Sequence, residues 1–122
     1  MKFSLFSKSK SQEVIDLFNS VFSASEGTVA GQVIANFVAK LMSTTKSQDL
    51  IGCIAEDNEI IVGCIFFSRF TVPSGQEAFI LSPVAVSTDV QRTGIGQKLI
   101  QHGLDHLRSM DVSLAFTYGD PG

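Results

Sequence analysis

The sequence predicts an α/β fold with a mixed, mostly antiparallel sheet and the element order β-α-α-β-β-β-α-β. In three segments, apolar residues recur every three or four positions, which is the spacing of helices that bury one face. Five shorter runs are rich in β-branched and aromatic residues, which is typical of strands. Because one helix separates the last two strands, we expect a single crossover there.

Length and composition indicate one domain spanning residues 1–122. The chain has 122 residues, of which 44% are hydrophobic and 17% charged, so a core of ordinary size can form. The net charge is −3 and no Lys/Arg cluster is present, which argues against a nucleic-acid partner. No run approaches the ~20 apolar residues of a membrane span. We therefore expect a cytoplasmic protein with neither nucleic acid nor membrane as a partner.

The first three elements are a strand and two helices. Lys2–Lys8 predicts an edge strand, and Ser11 is expected to cap the first helix. A polar break at Ser23–Thr28 precedes the second helix, and Ser43–Asp49 predicts a loop after it. The first helix has apolar residues at helical spacing: Val14, Ile15, Leu17, Phe18, Val21 and Phe22. The second has Val29, Val33, Ile34, Phe37, Val38 and Leu41.

A hairpin and a further strand come next. Leu50–Ala55 and Ile60–Phe67 flank the polar residues 56–59 and predict two paired strands. Gly63 indicates a bulge or a closely packed neighbour. Thr71–Gln76 predicts another turn, and Ala78–Val86 is apolar enough for a strand that is buried on both faces.

The strand Ala78–Val86 contains Pro83, which has no backbone N–H to donate to a neighbouring strand. The strand must therefore lack a neighbour on one side at that point. Gly94–Met110 predicts an amphipathic helix, and Ser113–Tyr118 the last strand. The inner face of the helix comprises Ile95, Leu99, Ile100, Gly103, Leu104 and Leu107. Its outer face comprises Gln97, Lys98, Gln101, His102, Asp105 and Arg108.

The junction between the apolar strand and this helix carries the main chemical signal. Gly94 and Gly96 open the helix, as glycines do in loops that bind phosphate. A dinucleotide fingerprint would need a third glycine where Leu99 stands, and a Walker A loop would need Gly-Lys-Ser/Thr. Both alternatives fail.

Gln91-x-x-Gly94-x-Gly96 after Val84-Ala85-Val86 resembles the acetyl-CoA motif of the GNAT (Gcn5-related N-acetyltransferase) superfamily. Gly119-Asp120-Pro121 is similar to the end of strand five in the predicted-acetyltransferase branch of that superfamily. The element order also matches from the first strand through the fifth.

The resemblance implies an N-acetyltransferase domain with acetyl-CoA as co-substrate and no metal. Loop amides would hold the pyrophosphate, and the edge of the fourth strand would pair with the pantetheine arm. For Arg92 and Lys98, phosphate contact and simple solvation stay open as alternatives. The implied cofactor-binding residues are Val84, Ala85, Val86, Gln91, Arg92, Thr93, Gly94, Ile95, Gly96, Gln97 and Lys98.

Catalysis, as the resemblance implies it, is direct attack of an amine on the thioester. The acceptor amine belongs to a small molecule, a protein N-terminus or a lysine. Glu77 is a weak candidate for the base, and its alternative is an exposed loop carboxylate. The competing hypotheses are a CoA-binding sensing or interaction module without turnover, and a purely structural domain.

The resemblance also implies a C-terminally incomplete domain. Family members continue with a helix and two strands, and that helix often carries a tyrosine acid, whereas this sequence ends at Gly122. Tyr118 does not match the position of that tyrosine. We therefore expect CoA binding with little acetyl transfer, and a homodimer formed through the exposed edge of strand five.

Three other groups of residues suggest sites, and each has a plainer interpretation. His102 and His106 have metal-ligand spacing but no third ligand, which favours a solvent-facing pair. Cys53 and Cys64 lie in apolar runs, which predicts buried reduced thiols. Phe18, Phe22 and Phe37 could line an acceptor pocket, although core packing is the default.

Overall fold

A computed structural model describes residues 1–46, 49–71, 77–88, 90–91, 93–110 and 114–117. Five strands form one sheet in the order β1-β2-β3-β4-β5, and every neighbouring pair is antiparallel except β4 and β5, which are parallel. The strands are β1 Lys2–Leu5, β2 Leu50–Asp57, β3 Ile60–Thr71, β4 Glu77–Val86 and β5 Leu114–Thr117. The helices are a 3₁₀ turn Lys8–Lys10, α1 Ser11–Glu26, α2 Thr28–Thr44 and α3 Ile95–Ser109. The predicted fold class and element order are confirmed.

The sheet separates two hydrophobic cores. Successive residues of a strand face opposite sides, so Phe66 packs in one core and Phe67 in the other. Helices α1 and α2 cover the first side, where Phe18 is fully buried. Helix α3 covers the second side, where Leu99 is fully buried. The inner face predicted for α3 is confirmed, with Ile100 and Leu104 half-buried.

The junction between α1 and α2 is shorter than the sequence predicts. Only Gly27 breaks the helices, with φ of 99°. The predicted break at Ser23–Thr28 is therefore wrong except at Gly27, since residues 23–26 are helical in α1 and Thr28 begins α2. The Ser23 hydroxyl donates a hydrogen bond to Asn19 Oδ1 (2.9 Å). The start of α1 also differs. Ser11 is the first residue of the helix rather than its cap, because the preceding 3₁₀ turn leads directly into it and Ser11 Oγ donates to Lys8 O.

Helix α2 buries only part of the apolar set expected at helical spacing. Val38 is fully buried, and Ile34 and Leu41 are half-buried against the same core. Val29, Val33 and Phe37 are instead 78%, 63% and 50% exposed, so their place in a buried face is wrong. The buried stripe runs through Gly31, Ala35, Val38 and Met42. At Gly31 a Cβ would collide with the Ser23 hydroxyl, so the small residue lets α2 lie close against α1. Close contact between backbones decides which stripe faces inward.

The predicted β2–β3 hairpin is confirmed, with a shorter turn than residues 56–59, because β2 continues to Asp57. Asn58 and Glu59 form its two-residue turn with φ of 52° and 68°, the left-handed values of a type I′ turn. At Gly63 a Cβ would lie 2.8 Å from Leu99 Cδ1, so α3 packs closely over this strand. A register shift beside Ala55 also places a bulge there.

Strand β4 is irregular at the position that Pro83 predicts. Its pairing with β3 passes from Phe67↔Leu81 to Ile65↔Val84, so two residues of β4 lie opposite one residue of β3. Pairing with β5 ends at Leu81↔Thr117 among the described residues. Among the described residues, β5 therefore pairs only with the first half of β4.

Part of the predicted loop structure lies outside the described residues, namely 72–76 of the expected turn and 118–122 at the C-terminal end. Across the portion of the chain that the structure describes, no helix combines the length and apolar character needed to cross a bilayer.

Candidate functional site

A cleft of about 490 Å³ opens where β4 ends and α3 begins. The loop after β4 forms one wall and the first turn of α3 the other. The lining residues are Val86, Val90, Gln91, Gly94, Ile95, Gly96 and Gln97. Six of these seven belong to the set that the sequence predicts as cofactor-binding, and Val90 is the addition.

The two glycines of the cleft have different physical roles. Gly94 caps α3 with φ of 84° and ψ of 8°, a left-handed conformation that a side chain disfavours. Gly96 lies within the helix, and a Cβ placed there would meet Val86 Cγ2 at 3.7 Å, an ordinary contact. Since Val86 itself lines the cleft, a larger side chain at position 96 would occupy the cleft rather than clash with the core.

The start of α3 offers backbone donors to an anion. The hydrogen bond from Lys98 N to Gly94 O (3.1 Å) is the first of the helix. The amides of Ile95, Gly96 and Gln97 precede it and therefore have no acceptor within the helix. No acidic residue lies in the first turn and no side chain caps it. Lys98 is exposed in the first turn of α3. The helix dipole does not stabilise a cation at this end of a helix, but a lysine here is favourable beside a bound anion.

Hydrogen bonds tie the loop to the sheet. Gln91 Nε2 donates to Val86 O (2.9 Å), which links the loop back to the last residue of β4. Ser87 N donates to Val62 O (2.7 Å), so the loop is also anchored on β3. Within the loop, Val90 N donates to Ser87 O (3.0 Å) and the Thr93 hydroxyl donates to Val90 O. These bonds position the loop amides before any ligand arrives.

The end of β4 presents an edge. Val84 is 38% exposed, Ala85 is buried in the core under α1 and α2, and Val86 is half-buried. Both Val84 and Val86 pair with β3, and no described residue pairs with them on the β5 side. An extended ligand could add to this edge as a strand does.

The remaining predicted site residues lie beside the cleft or outside the described part. Val84, Ala85, Thr93 and Lys98 adjoin the cleft without lining it. Arg92 lies outside the described residues. Glu77 is the first residue of β4, so it lies at the opposite end of that strand from the cleft.

Two features of the cleft were missed from the sequence. Val90 packs against the α3-side core as well as lining the cleft, and its signal is an apolar residue in an otherwise polar loop. The bond from the Gln91 side chain to Val86 O has no sequence signal, because only the fold brings the two residues together.

The histidines of α3 are placed differently from each other. His102 is exposed, and its ring stacks on Phe3 of β1 with 4.8 Å between centroids. His106 is half-buried, so the prediction of a solvent-facing pair is correct only for His102. Core packing is correct for Phe18, which is fully buried, and wrong for Phe37, which is half exposed.

Both cysteines are free and buried, as predicted. Burial raises the pKa of the Cys53 thiol from 9.0 to about 11. It raises the pKa of the Cys64 thiol further, because Cys64 lies in the fully enclosed core under α1 and α2. Neither thiol is a nucleophile at neutral pH, since the reactive form is the thiolate.

Sequence comparison finds one matching family and one close relative. Residues 11–119 match the model of the Acetyltransferase (GNAT) family. Over 88 residues the chain is 32% identical to the Uncharacterized N-acetyltransferase YjhQ of Escherichia coli (strain K12). That alignment covers 70% of this chain and 49% of the relative, so the chain spans about half the length of this curated protein.

Solved acetyltransferase structures share the fold at low identity. A ribosomal-protein-alanine N-acetyltransferase from Brucella melitensis biovar Abortus 2308 superposes with a TM-score of 0.74 at 17% identity, covering 99% of this chain and 82% of that one. An aminoglycoside acetyltransferase, meta-AAC0020, from an uncultured soil metagenomic sample in complex with sisomicin gives 0.73 at 17% identity, covering 98% and 78%.

Proposed function

The chain belongs to the GNAT acetyltransferase family, and from that premise we propose that it transfers the acetyl group of acetyl-CoA to an amine. The observation that carries the proposal is the cleft between β4 and α3, where backbone donors and a left-handed glycine converge. We extend the proposal to residues 1–122 as one acetyl-CoA-binding unit. The cytoplasmic location stays a prediction.

The residues of the cleft fit a pyrophosphate. The amides at the start of α3 have no carboxylate competing for them in the first turn, and the helix dipole adds roughly half a positive charge. Gly96 leaves open the space that a Cβ would begin to fill. Gln91 holds the loop against β4, so little reorganisation is needed on binding. In this proposal the amides of Ile95, Gly96 and Gln97 hold the phosphates.

The free edge of β4 fits the rest of the co-substrate. Val84 and Val86 are unpaired on the β5 side among the described residues, so their backbone groups can pair with an amide-containing arm. Such pairing aligns the arm along the strand and positions the reacting end near the β4 irregularity. An amide of β4 in this region would donate to the carbonyl oxygen as negative charge develops on it.

Acetyl-CoA supplies an activated thioester, whose carbonyl carbon forms a C–N bond with a neutral amine while the C–S bond breaks. The amine loses a proton in this exchange and the departing thiolate gains one. Glu77 stays a weak candidate for the proton acceptor, acting directly or through water.

The acceptor in this proposal is an amine of a small molecule, a protein N-terminus or a lysine. Two solved structures with this fold are named as a ribosomal-protein-alanine N-acetyltransferase and an aminoglycoside acetyltransferase. Both acceptor classes present amino groups. At 17% identity these likenesses support the fold and leave the acceptor class open.

The test is an assay of CoA release with acetyl-CoA and a panel of amines: aminoglycosides, polyamines, free amino acids and peptides with different N-termini. We expect slow release with one class, measurably above the rate without an amine, in keeping with the low acetyl transfer expected from the sequence. Binding of CoA without release by any amine would instead support a CoA-binding module. Absence of CoA binding would contradict the proposal and favour a structural domain.

A further inference from the structure

A second cavity, which we call the β1 cavity, lies beside the first strand. Its volume is about 480 Å³, close to that of the cleft at the start of α3. Strand β1 is the edge strand opposite β5, so β2 and β3 lie between this cavity and β4. Its lining is mostly charged or polar, unlike an apolar groove between packed elements. The lining residues are Met1, Lys2, Lys10, Glu56, Asn58 and Glu59.

Glu56 is the buried group of the β1 cavity. Its side chain is 10% exposed, and among the residues that the structure describes no other charged residue is buried. Lys10 Nζ donates to Glu56 Oε2 (2.8 Å), and no other described residue donates to this carboxylate. The second oxygen, Oε1, therefore faces the cavity without a partner from the described part of the chain. Because a carboxylate removed from water needs donors for its oxygens, Oε1 is a position where a ligand ammonium group is favourable.

The remaining charges of the β1 cavity are balanced. Lys2, Asn58 and Glu59 are exposed, and within the described ranges their side chains make neither a hydrogen bond nor an ion pair. Lys10 stays a cation, because its hydrogen bond to Glu56 raises the pKa of its ammonium group. Two lysines thus face two glutamates. A phosphate or a polyamine would be repelled by one half of this lining, whereas a ligand with one charge of each sign is attracted by both halves.

We propose that the β1 cavity binds a free α-amino acid in its zwitterionic form. The ammonium group donates to Glu56 Oε1 and lies near Glu59, and the carboxylate accepts from Lys2. A volume of about 480 Å³ lies within the range of small-molecule sites, about 300–1,000 Å³. The β1 cavity shares no lining residue with the cleft, so this site is independent of the proposed activity.

Titration of the ¹⁵N-labelled chain with glycine, L-serine, L-glutamine and L-leucine, followed by amide resonances, tests the proposal. Concentrations up to about 50 mM detect dissociation constants in the millimolar range. Without acetyl-CoA, we expect saturable shifts at residues 2, 10, 56 and 59 with at least one amino acid. The amide and the N-acetyl derivative of that amino acid should bind at least tenfold more weakly, because each lacks one of the two charges. No saturable shift at these residues, or equal affinity for the three forms, would overturn the proposal.

Two variants test the two halves of the site. Glu56→Gln should weaken binding at least tenfold, because it keeps the shape but removes the negative charge that the ammonium group needs. Glu26→Gln is its control, an exposed carboxylate at the end of α1 and outside the cavity. Lys2→Ala should weaken binding severalfold, and Lys8→Ala, an exposed lysine outside the cavity, should not.

Thermal melting checks the folding of each variant. Lys2 is exposed on the edge strand, so Lys2→Ala keeps the test informative if the buried Glu56→Gln substitution prevents folding. Wild-type affinity in folded Glu56→Gln, or in Lys2→Ala, would overturn the assignment of the ligand to the β1 cavity.

Discussion

Gly94 and Gly96 lie two positions apart at the start of α3, and each has its own physical requirement. Gly94 needs the left-handed conformation, and nothing lies within 4 Å of where its Cβ would be. Gly96 has ordinary helical geometry and leaves space beside Val86. Substitutions at the two positions therefore act differently: the first strains the backbone, and the second fills the cleft.

Gly94→Ala should weaken acetyl-CoA binding through backbone strain. A non-glycine residue in this conformation costs about 1–2 kcal/mol, so the loop would relax away from the geometry proposed to hold the phosphates. Gly27→Ala is the control for lost stability, because Gly27 also has a positive φ (99°) and open surroundings but lies between α1 and α2. Its ψ of 164° belongs to a region that is essentially restricted to glycine, so urea denaturation should show a loss for both variants and the larger one for Gly27→Ala. Calorimetry should show a loss of affinity for Gly94→Ala alone. Equal losses of affinity would show that stability, not the loop, controls binding.

Gln91→Ala should loosen the loop by removing the donor to Val86 O. A hydrogen bond of this kind contributes about 1 kcal/mol, so the dissociation constant for acetyl-CoA should rise about fivefold. Gln101→Ala serves as the control, since the Gln101 side chain donates to Asp105 on the exposed face of α3, away from the cleft loop. Tighter binding in Gln91→Ala would mean that Val86 O is needed by the ligand rather than by the loop.

At the scale of elements, close contacts to glycine fix α3 on the sheet. A Cβ at Gly103 would lie 2.5 Å from Phe67 Cζ, and one at Gly63 would lie 2.8 Å from Leu99 Cδ1. One glycine is on the helix and the other on β3, so each element accommodates a large side chain of its partner. This packing holds the N-terminus of α3 at the end of β4, where the cleft forms.

Gly103→Ala should destabilise the fold although alanine favours helix formation. The new methyl group overpacks the Phe67 ring, which typically costs 1–3 kcal/mol. Gly96→Ala is the control in the same helix, since its methyl group makes only an ordinary contact and should leave the stability unchanged or raise it. Adding Phe67→Leu to Gly103→Ala should restore part of the loss, which a double-mutant cycle would measure. Strict additivity of the two changes would contradict the packing argument.

The order of elements and the cleft loop could be predicted because both depend on local signals. Apolar periodicity defined α1 and α3, and the spacing of Gln91, Gly94 and Gly96 marked the loop. The inward face of α2 could be predicted only in part, because apolar residues surround much of that helix and the close approach at Gly31 decides the outcome. Val38 is buried as its spacing predicts, whereas Val33 is exposed. The cap at Ser11 failed because a 3₁₀ turn precedes α1.

At the scale of the whole molecule, the sheet divides the protein into two sides with different surfaces. Helix α3 and the cleft lie on one side, and helices α1 and α2 lie on the other. Each core also contains one buried thiol, Cys64 under α1 and α2 and Cys53 under α3.

Stability should fall as the pH rises above 9. Both thiols have raised pKa values in the folded chain, about 11 for Cys53, so they stay protonated while the unfolded thiols ionise above their pKa of 9.0. Unfolding then releases protons, and the free energy of unfolding decreases with pH, approaching about 1.4 kcal/mol per pH unit for Cys64. Urea denaturation from pH 8 to 10 should show this decline, with a shallower slope in Cys64→Ala. Identical slopes in the two proteins would contradict it.

The proposed function requires that the cleft at the start of α3 hold the phosphates of acetyl-CoA. Calorimetric titration of acetyl-CoA into the wild-type chain and into Gly96→Val measures this, with thermal melting as the check on folding. We expect saturable one-to-one binding by the wild type and at least a tenfold loss in a folded Gly96→Val variant, because the valine side chain fills the cleft. Wild-type affinity in folded Gly96→Val would contradict the assignment.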